Sequence, residues 1–302
     1  MDFRELAYIV SIAKHQSVSK AAEELFVTQP TLSKFVQNLE KELDQPLFRR
    51  LGNKFLLTYA GERYVEKARI ILAEKKELDQ ELSDIIHENV GELKIAFPIM
   101  RGTYMIPNTL PVFRKQFPKV KVTVIEESSA VLEEMLLSGD IDLAFFTLPI
   151  RSPKISHEII SHEEVVLVMA EEHPLVCQSI NKPGCKYPWI DAKLLENEEF
   201  ILQMPDQRTR ENVDKIFSEA GIKPNKILEI RNILASVQLA VDGYGMTFVG
   251  ETHLRHMKLN RTPSCFSVGS PITTTSFVAA YRQGVYLPYY THQFIQIVKD
   301  FT

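Results

Sequence analysis

The sequence predicts an α/β protein whose N-terminal part is all-α apart from a small wing. Three observations predict it. Residues 18–43 repeat apolar side chains with a helical period on either side of one tight turn. Residues 60–88 carry a narrow heptad seam along one long helical pattern. From Gly91 onward, strand-like and helix-like segments alternate to the end of the chain. Such alternation builds a parallel sheet with crossover helices. A length of 302 residues suits two or three domains.

The first helix carries Phe3, Leu6, Ile9, Val10 and Ala13 on one face. VSKAAEELFVTQPTLSKFVQNLEKEL then reads as a short amphipathic helix, a turn and a longer amphipathic helix. Ala21 and Ala22 are small enough to let the two helices approach closely. Thr28 can cap the second with its hydroxyl. Pro30 sits in the first turn, where a missing N–H costs nothing. Leu32, Val36, Leu39 and Leu43 follow at spacings of four, three and four, which predicts one buried stripe. The opposite stripe is Pro30, Ser33, Lys34 and Gln37, with Gln29 and Thr31 beside the helix start. Short polar side chains and one cation at a helix N-terminus suit a helix lying in a DNA major groove. Residues 46–58, PLFRRLGNKFLLT, place two short apolar runs around Gly52-Asn53, the pattern of a hairpin wing. Arg49, Arg50 and Lys54 lie there with no acid nearby, so the wing can grip phosphate. The expected DNA-contacting residues are therefore Thr28, Gln29, Pro30, Thr31, Ser33, Lys34 and Gln37 on the helix, and Arg49, Arg50, Asn53 and Lys54 on the wing.

This region resembles the winged helix-turn-helix of LysR-type transcriptional regulators. Ala21, Ala22, Leu25, Thr28, Gln29, Pro30, Leu32, Ser33, Leu39, Glu40, Leu43, Pro46, Leu47, Phe48, Arg50, Leu57, Thr58, Ala60 and Gly61 follow that family in order and spacing. Asp44 departs from it, standing where the family usually ends the recognition helix with glycine. Aspartate tolerates a left-handed backbone better than most residues. Asn53 also departs, at a wing position that is often basic.

From Ala60 to about Glu88 the pattern is a long helix. Tyr64, Ala68, Ile71, Lys75, Leu78, Leu82 and Ile85 alternate spacings of four and three, a heptad seam with one cation in it. So narrow a seam on so long a helix predicts pairing with a second copy through Tyr64, Ala68, Ile71, Leu78, Leu82 and Ile85. The resemblance implies the same dimer, and further implies a homotetramer.

The later segments read as strand GELKIAF, a helix near 104–116, strand VKVTVIE, helix SAVLEEMLLSG and strand DLAFFTL. Strands EEVVLVMA and FILQ follow, then a helix over 209–220, strand KILEI, a helix over 232–242, GMTFVG, strand TTSFVAAYR and a helix near 289–301. Two α/β subdomains joined by crossing segments, near Ile160–His162 and Ser267–Gly269, account for this order. They resemble the periplasmic-binding-protein-like effector domain of the same family, through Leu110, Pro111, Phe113, Phe117, Pro118, Gly139, Asp140, Asp142, Leu143, Gly243 and Gly245. The expected organisation is residues 1–59 for DNA binding, 60–89 for the linker and dimerisation helix, and 90–302 for the effector domain. Subdomain I takes about 90–161 and 268–302, and subdomain II about 162–267.

Ligands of open α/β sheets sit beyond the carboxyl ends of the strands, and with two subdomains the cleft between them is the expected pocket. That selects Pro98, Ile99, Met100, Arg101, Gly102 and Thr103 after the first strand. It selects Ser128 and Ser129, where a helix start can take an anion, and Thr147 and Leu148 at the end of a buried strand. From the second subdomain come Gln203, Met204, Met246, Thr247 and Phe248. Arg101 in a loop would favour a carboxylate or another anionic effector.

Other function classes find little support. There is no G-x-S-x-G elbow, phosphate loop, H-E-x-x-H pair or dinucleotide fingerprint, so no catalytic residue is assigned. Cys177, Cys185 and Cys265 lack metal-ligand spacing and fit a reducing compartment; Cys185, beside Lys186, is the best placed for redox sensing. No metal or cofactor is expected. A net charge of -4 means that DNA affinity must come from the local basic patch rather than the whole chain. No apolar run reaches membrane-spanning length and no signal peptide is evident, which predicts a cytoplasmic protein with no membrane partner. The expected partners are promoter DNA, a small-molecule effector and further copies of the chain, with RNA polymerase implied by the resemblance. A constitutive architectural DNA binder is the competing expectation.

Overall fold

The computed structural model describes residues 2–52, 54–85 and 89–302. Asn53 and the side chain of Ile85 therefore lie outside the described part. The chain forms two compact units, Met1–Glu88 and Asn89–Thr302.

The first unit contains α1 (Phe3–His15), α2 (Val18–Glu24), α3 (Gln29–Leu43), the hairpin β1 (Phe48–Leu51) and β2 (Lys54–Leu57), and α4 (Tyr59–Ile85). Capping side chains define its helix starts. Asp2 and Glu5 form a reciprocal capping box on α1, Ser17 caps α2 and Thr28 caps α3. Asp44 ends α3 in the left-handed conformation, at φ 50°, so aspartate takes the place of the expected glycine. One core holds Ile9, Ile12, Ala21, Ala22, Leu32, Val36 and Leu39 with Leu47, Phe48 and Val65. Glu40 ties the wing to α3 by accepting the backbone N–H groups of Leu47 (2.7 Å) and Phe48 (2.9 Å). Gly61 permits the start of α4 to pass β1, because a Cβ there would lie 2.0 Å from the Leu47 carbonyl oxygen.

One expectation of this stripe fails. Leu43 is 41% exposed rather than buried. It lines an apolar groove with Leu6, Leu47, Tyr64, Ala68 and Ile71, because the helix ends there and no further described element of this unit covers that face.

The second unit adds β3 (Gly91–Phe97), α5 (Ile99–Gln116), β4 (Val120–Glu126), α6 (Ser129–Ser138), β5 (Leu143–Thr147), β6 (Ile155–Met169), β7 (Trp189–Ile190) and β8 (Glu199–Gln203). It continues with α7 (Arg208–Ala220), β9 (Asn225–Ile230), α8 (Ile233–Val241), β10 (Thr247–Gly250), α9 (Glu251–Arg255), β11 (Ser264–Val268), β12 (Thr274–Arg282) and α10 (Tyr289–Phe301). In subdomain I, β3 is flanked by parallel β4 and β5, and β12 runs antiparallel between β5 and β6. Its two faces are filled around Phe97, Phe113, Phe145 and Phe294, and around Leu132, Leu136 and Phe146.

The 15-residue β6 belongs to both subdomains. Its first part pairs with β12 from Ile155 to Glu164, and its second with β10 and β11 from Val165 to Met169. The change of partner falls slightly beyond the expected crossing at Ile160–His162. In subdomain II, β8 pairs with β9 in parallel and joins β10 through the Phe200–Met246 bridge. Phe200, Phe217, Phe248 and Leu202 are at its core.

Candidate functional site

The start of α3 presents the predicted recognition face. Gln29, Pro30, Thr31, Lys34 and Gln37 are exposed and Ser33 is half-buried, while Leu32 and Val36 anchor the helix from behind. The face is ordered by its own contacts. Thr28 Oγ1 accepts from the Thr31 N–H and lies 2.8 Å from the Thr31 hydroxyl. Gln29 Nε2 donates to Ser33 Oγ at 2.7 Å. On the wing, Arg49, Arg50 and Lys54 are exposed, and the Arg50 guanidinium lies 4.9 Å from the centre of the Phe55 ring. A capped helix start with unburied donors and acceptors, beside three exposed cations, can bind both base edges and phosphate.

Along α4 the seam residues separate. Ala68 is buried within the unit, Tyr64 is half-buried, and Ile71, Leu78 and Leu82 stay exposed at 38%, 54% and 47%. Lys75 pairs with Asp79 and leans toward the Phe3 ring.

The residues expected to line a cleft in the second unit are placed differently. Ser128 caps α6 by accepting from the Val131 N–H, and Ser129 opens that helix. Pro98, Met100, Leu148 and Met204 are half-buried, and Ile99 and Thr103 are exposed. Other expected ligand contacts are not available to a ligand. α5 begins at Ile99, so Arg101 stands in its first turn rather than in a loop. It is 2% exposed. Its guanidinium donates to Glu163 Oε1 at 2.5 Å and to Thr147 Oγ1 at 3.3 Å, and it lies 4.2 Å from the centre of the Phe277 ring. Burial alone would lower the Arg101 pKa, but the charge and hydrogen bond of Glu163 together with those of Tyr104 raise it. Burial would raise that of Glu163, but Arg101 holds it down at about 2. The loop cation of the sequence expectation is thus a buried ion pair. Gly102 is buried beside it, where a Cβ would lie 2.5 Å from Glu126 Oε1.

The second-subdomain residues are corrected as well. Gln203 is fully buried and bridges strands by donating to the Phe248 carbonyl at 2.9 Å and to Thr247 Oγ1. Thr247 donates to the Ile201 carbonyl. Met246 and Phe248 belong to the core, where Phe248 stacks on Phe200. These strands are covered on both faces, so their side chains pack rather than line a cleft.

Sequence reasoning missed the groups that join the subdomains. Arg208, at the start of α7, pairs with Glu133 of α6, both buried. Glu133 also accepts the Arg151 N–H, and the Arg151 side chain reaches Glu211. The Tyr104 hydroxyl lies 3.4 Å from His253 Nδ1. Burial and the nearby Arg101 charge push the His253 pKa down to about 3. Two adjacent glutamates leading into the apolar run VVLVM were the available signal for Glu163. Burial raises the Cys265 thiol to about 11, which suits an inert thiol. Among the described residues no helix is long and apolar enough to cross a membrane.

Comparison with known proteins adds to this geometry. Residues 3–62 match the bacterial regulatory helix-turn-helix protein, lysR family, and residues 87–302 match the LysR substrate binding domain. The chain is 30% identical to the uncharacterized HTH-type transcriptional regulator YcgK of Bacillus subtilis, over 82% of this chain and 79% of that protein. It is 31% identical to the HTH-type transcriptional activator CmpR of Synechocystis sp., over 79% of this chain and 75% of that protein. A full-length OxyR variant from Pseudomonas aeruginosa has a similar fold, with a TM-score of 0.76 at 22% identity over 99% of this chain and 94% of that one. Full-length CbnR complexed with its target DNA gives 0.62 at 22% identity, covering 100% of both chains.

Proposed function

The chain belongs to the LysR family of DNA-binding transcriptional regulators with a small-molecule effector domain, and from that premise we propose how its residues divide the work. α3 reads base edges through Gln29, Thr31, Ser33, Lys34 and Gln37, with Thr28 and Pro30 setting its start. Arg49, Arg50 and Lys54 hold phosphate; Asn53, expected to act with them, lies outside the described residues. The observation that carries this is the capped, exposed polar face of α3, backed by a fully buried Leu32.

The exposed stripe Ile71, Leu78 and Leu82, continuous with the apolar groove beside Leu43, takes the α4 of a second copy. Two copies then read two half-sites, and a tetramer of two such dimers is the full assembly. RNA polymerase at the promoter and a cytoplasmic setting belong to the same proposal.

The effector binds between the subdomains, near Pro98, Ile99, Met100, Thr103, Ser128, Ser129, Thr147, Leu148 and Met204. Because Glu163 already neutralises Arg101, support for an anionic effector moves to the N-terminus of α6 with its two serines. An effector that favours one arrangement of the subdomains shifts the DNA-bound state by its differential affinity.

The test is selection of the full-length protein on random duplex DNA at a stated salt concentration. An interrupted palindrome is the expected result; only weak, salt-sensitive binding without a motif would overturn the reading. A metabolite library scored by thermal shift tests the cleft, since a ligand specific for the folded state raises the melting temperature.

A further inference from the structure

Phe26 is held firmly by the fold and used nowhere in its core. It lies in the turn between α2 and α3, is 96% exposed and has φ 54°. Its neighbours Leu25 and Val27 pack against the helical core. The N–H groups of Leu25, Phe26 and Val27 bond to the carbonyls of Ala21, Glu23 and Ala22, so the turn itself is fixed. A left-handed backbone crowds a bulky L-residue, and glycine, asparagine or aspartate normally stand there. An aromatic ring in water gains no burial. Both features work against stability, and both occur two residues before Thr28, where the recognition helix begins.

We propose that Phe26 is a specificity-determining residue whose ring contacts the C5-methyl group of a thymine at the edge of the site read by α3. That methyl is the apolar landmark of the major groove, and apolar side chains recognise it. The proposal rests on the DNA-binding role of α3.

The test uses the full-length protein and the site recovered by selection, with each thymine of a half-site replaced in turn by uracil, which removes only the methyl. At one thymine per half-site the wild-type protein loses affinity by about four-fold. Phe26→Asn, which suits the left-handed turn, melts at the same temperature or higher. It binds the thymine site about tenfold more weakly and is indifferent to uracil at that position. Phe26→Gly behaves alike and serves as the second variant. Wild-type affinity in these variants, or unchanged uracil sensitivity, overturns the proposal. Recovery of no site by the wild-type protein instead overturns the DNA reading on which it rests.

Discussion

α3 and α5 begin alike and end in opposite environments. Each opens with a proline at its threshold and carries a cation within its first two turns, Lys34 in one and Arg101 in the other. Lys34 stays in water with Thr31 and Gln37, whereas Arg101 is enclosed with Glu163 against Phe277. A solvated polar face keeps its hydrogen-bonding capacity for a partner. A buried pair has used it within the fold, and separating the two charges leaves one of them stranded in an apolar site. The position of a cation on a helix therefore says little about its role until its partner is known.

The largest effect should come from stranding that charge. Glu163→Gln is expected to destabilise the second unit by about 3–5 kcal/mol, measured by urea denaturation of the full chain. The double variant Arg101→Met with Glu163→Leu should recover much of the loss, because it removes both charges. A cost for Glu163→Gln below about 1 kcal/mol, the range of exposed pairs, would erase the contrast with α3.

The same site sets an acid response. His253 is neutral in the folded chain down to about pH 3, while in the unfolded chain it titrates near 6.5. Between those values the unfolded state binds the extra proton, so stability falls with decreasing pH by about 1.4 kcal/mol per unit. The Glu163 contribution is complete above the unfolded carboxylate value of about 4.3 and is lost toward pH 2. His253→Gln should flatten the profile between about pH 6.5 and 4.5 and leave the lower limb. An unchanged slope there would place the titrating group elsewhere.

Changes on α3 should move recognition and leave stability alone. Gln29→Ala or Ser33→Ala should cut discrimination at one base pair by about 1–3 kcal/mol, scored by selection and sequencing. Arg50→Ala should weaken all sequences together and lower the salt slope by about 1. A loss of specificity in Arg50→Ala but not in the α3 variants would invert the assignment of roles. The smallest effect belongs to Arg151→Ala. Its exposed pair with Glu211 contributes under about 1 kcal/mol, and alanine keeps the N–H that Glu133 accepts.

The first unit was legible in the sequence because its determinants are local. The cap at Thr28, the proline of α3 and the apolar spacings all act within a few residues. Leu43 escaped because burial at a helix end depends on what covers it. The second unit yielded its main strands and helices, but not β7, β11 or α9, which are short and depend on distant partners, nor the first half of β6, residues 155–162, which was read only as a crossing segment. α5 was read from Tyr104, since Pro98, Gly102 and the internal Pro107 and Pro111 look like breakers. Of the cleft, the loops after the strands could be named. The Arg101–Glu163 pair could not, because its members are 62 residues apart, and the burial of Gln203, Met246, Thr247 and Phe248 follows from the coverage of both sheet faces.

The continuity of β6 has a mechanical consequence. Its two ends are fastened into different ladders, to β12 on one side and to β10 and β11 on the other. Hydrogen-bonded ladders resist sliding but tolerate changes in twist. Rotation of one subdomain against the other would therefore twist this shared strand, together with the second crossing between β11 and β12. A strand pinned into ladders at both ends makes a stiffer joint than a loose connection, so such a rotation would work against the ladders rather than swing freely.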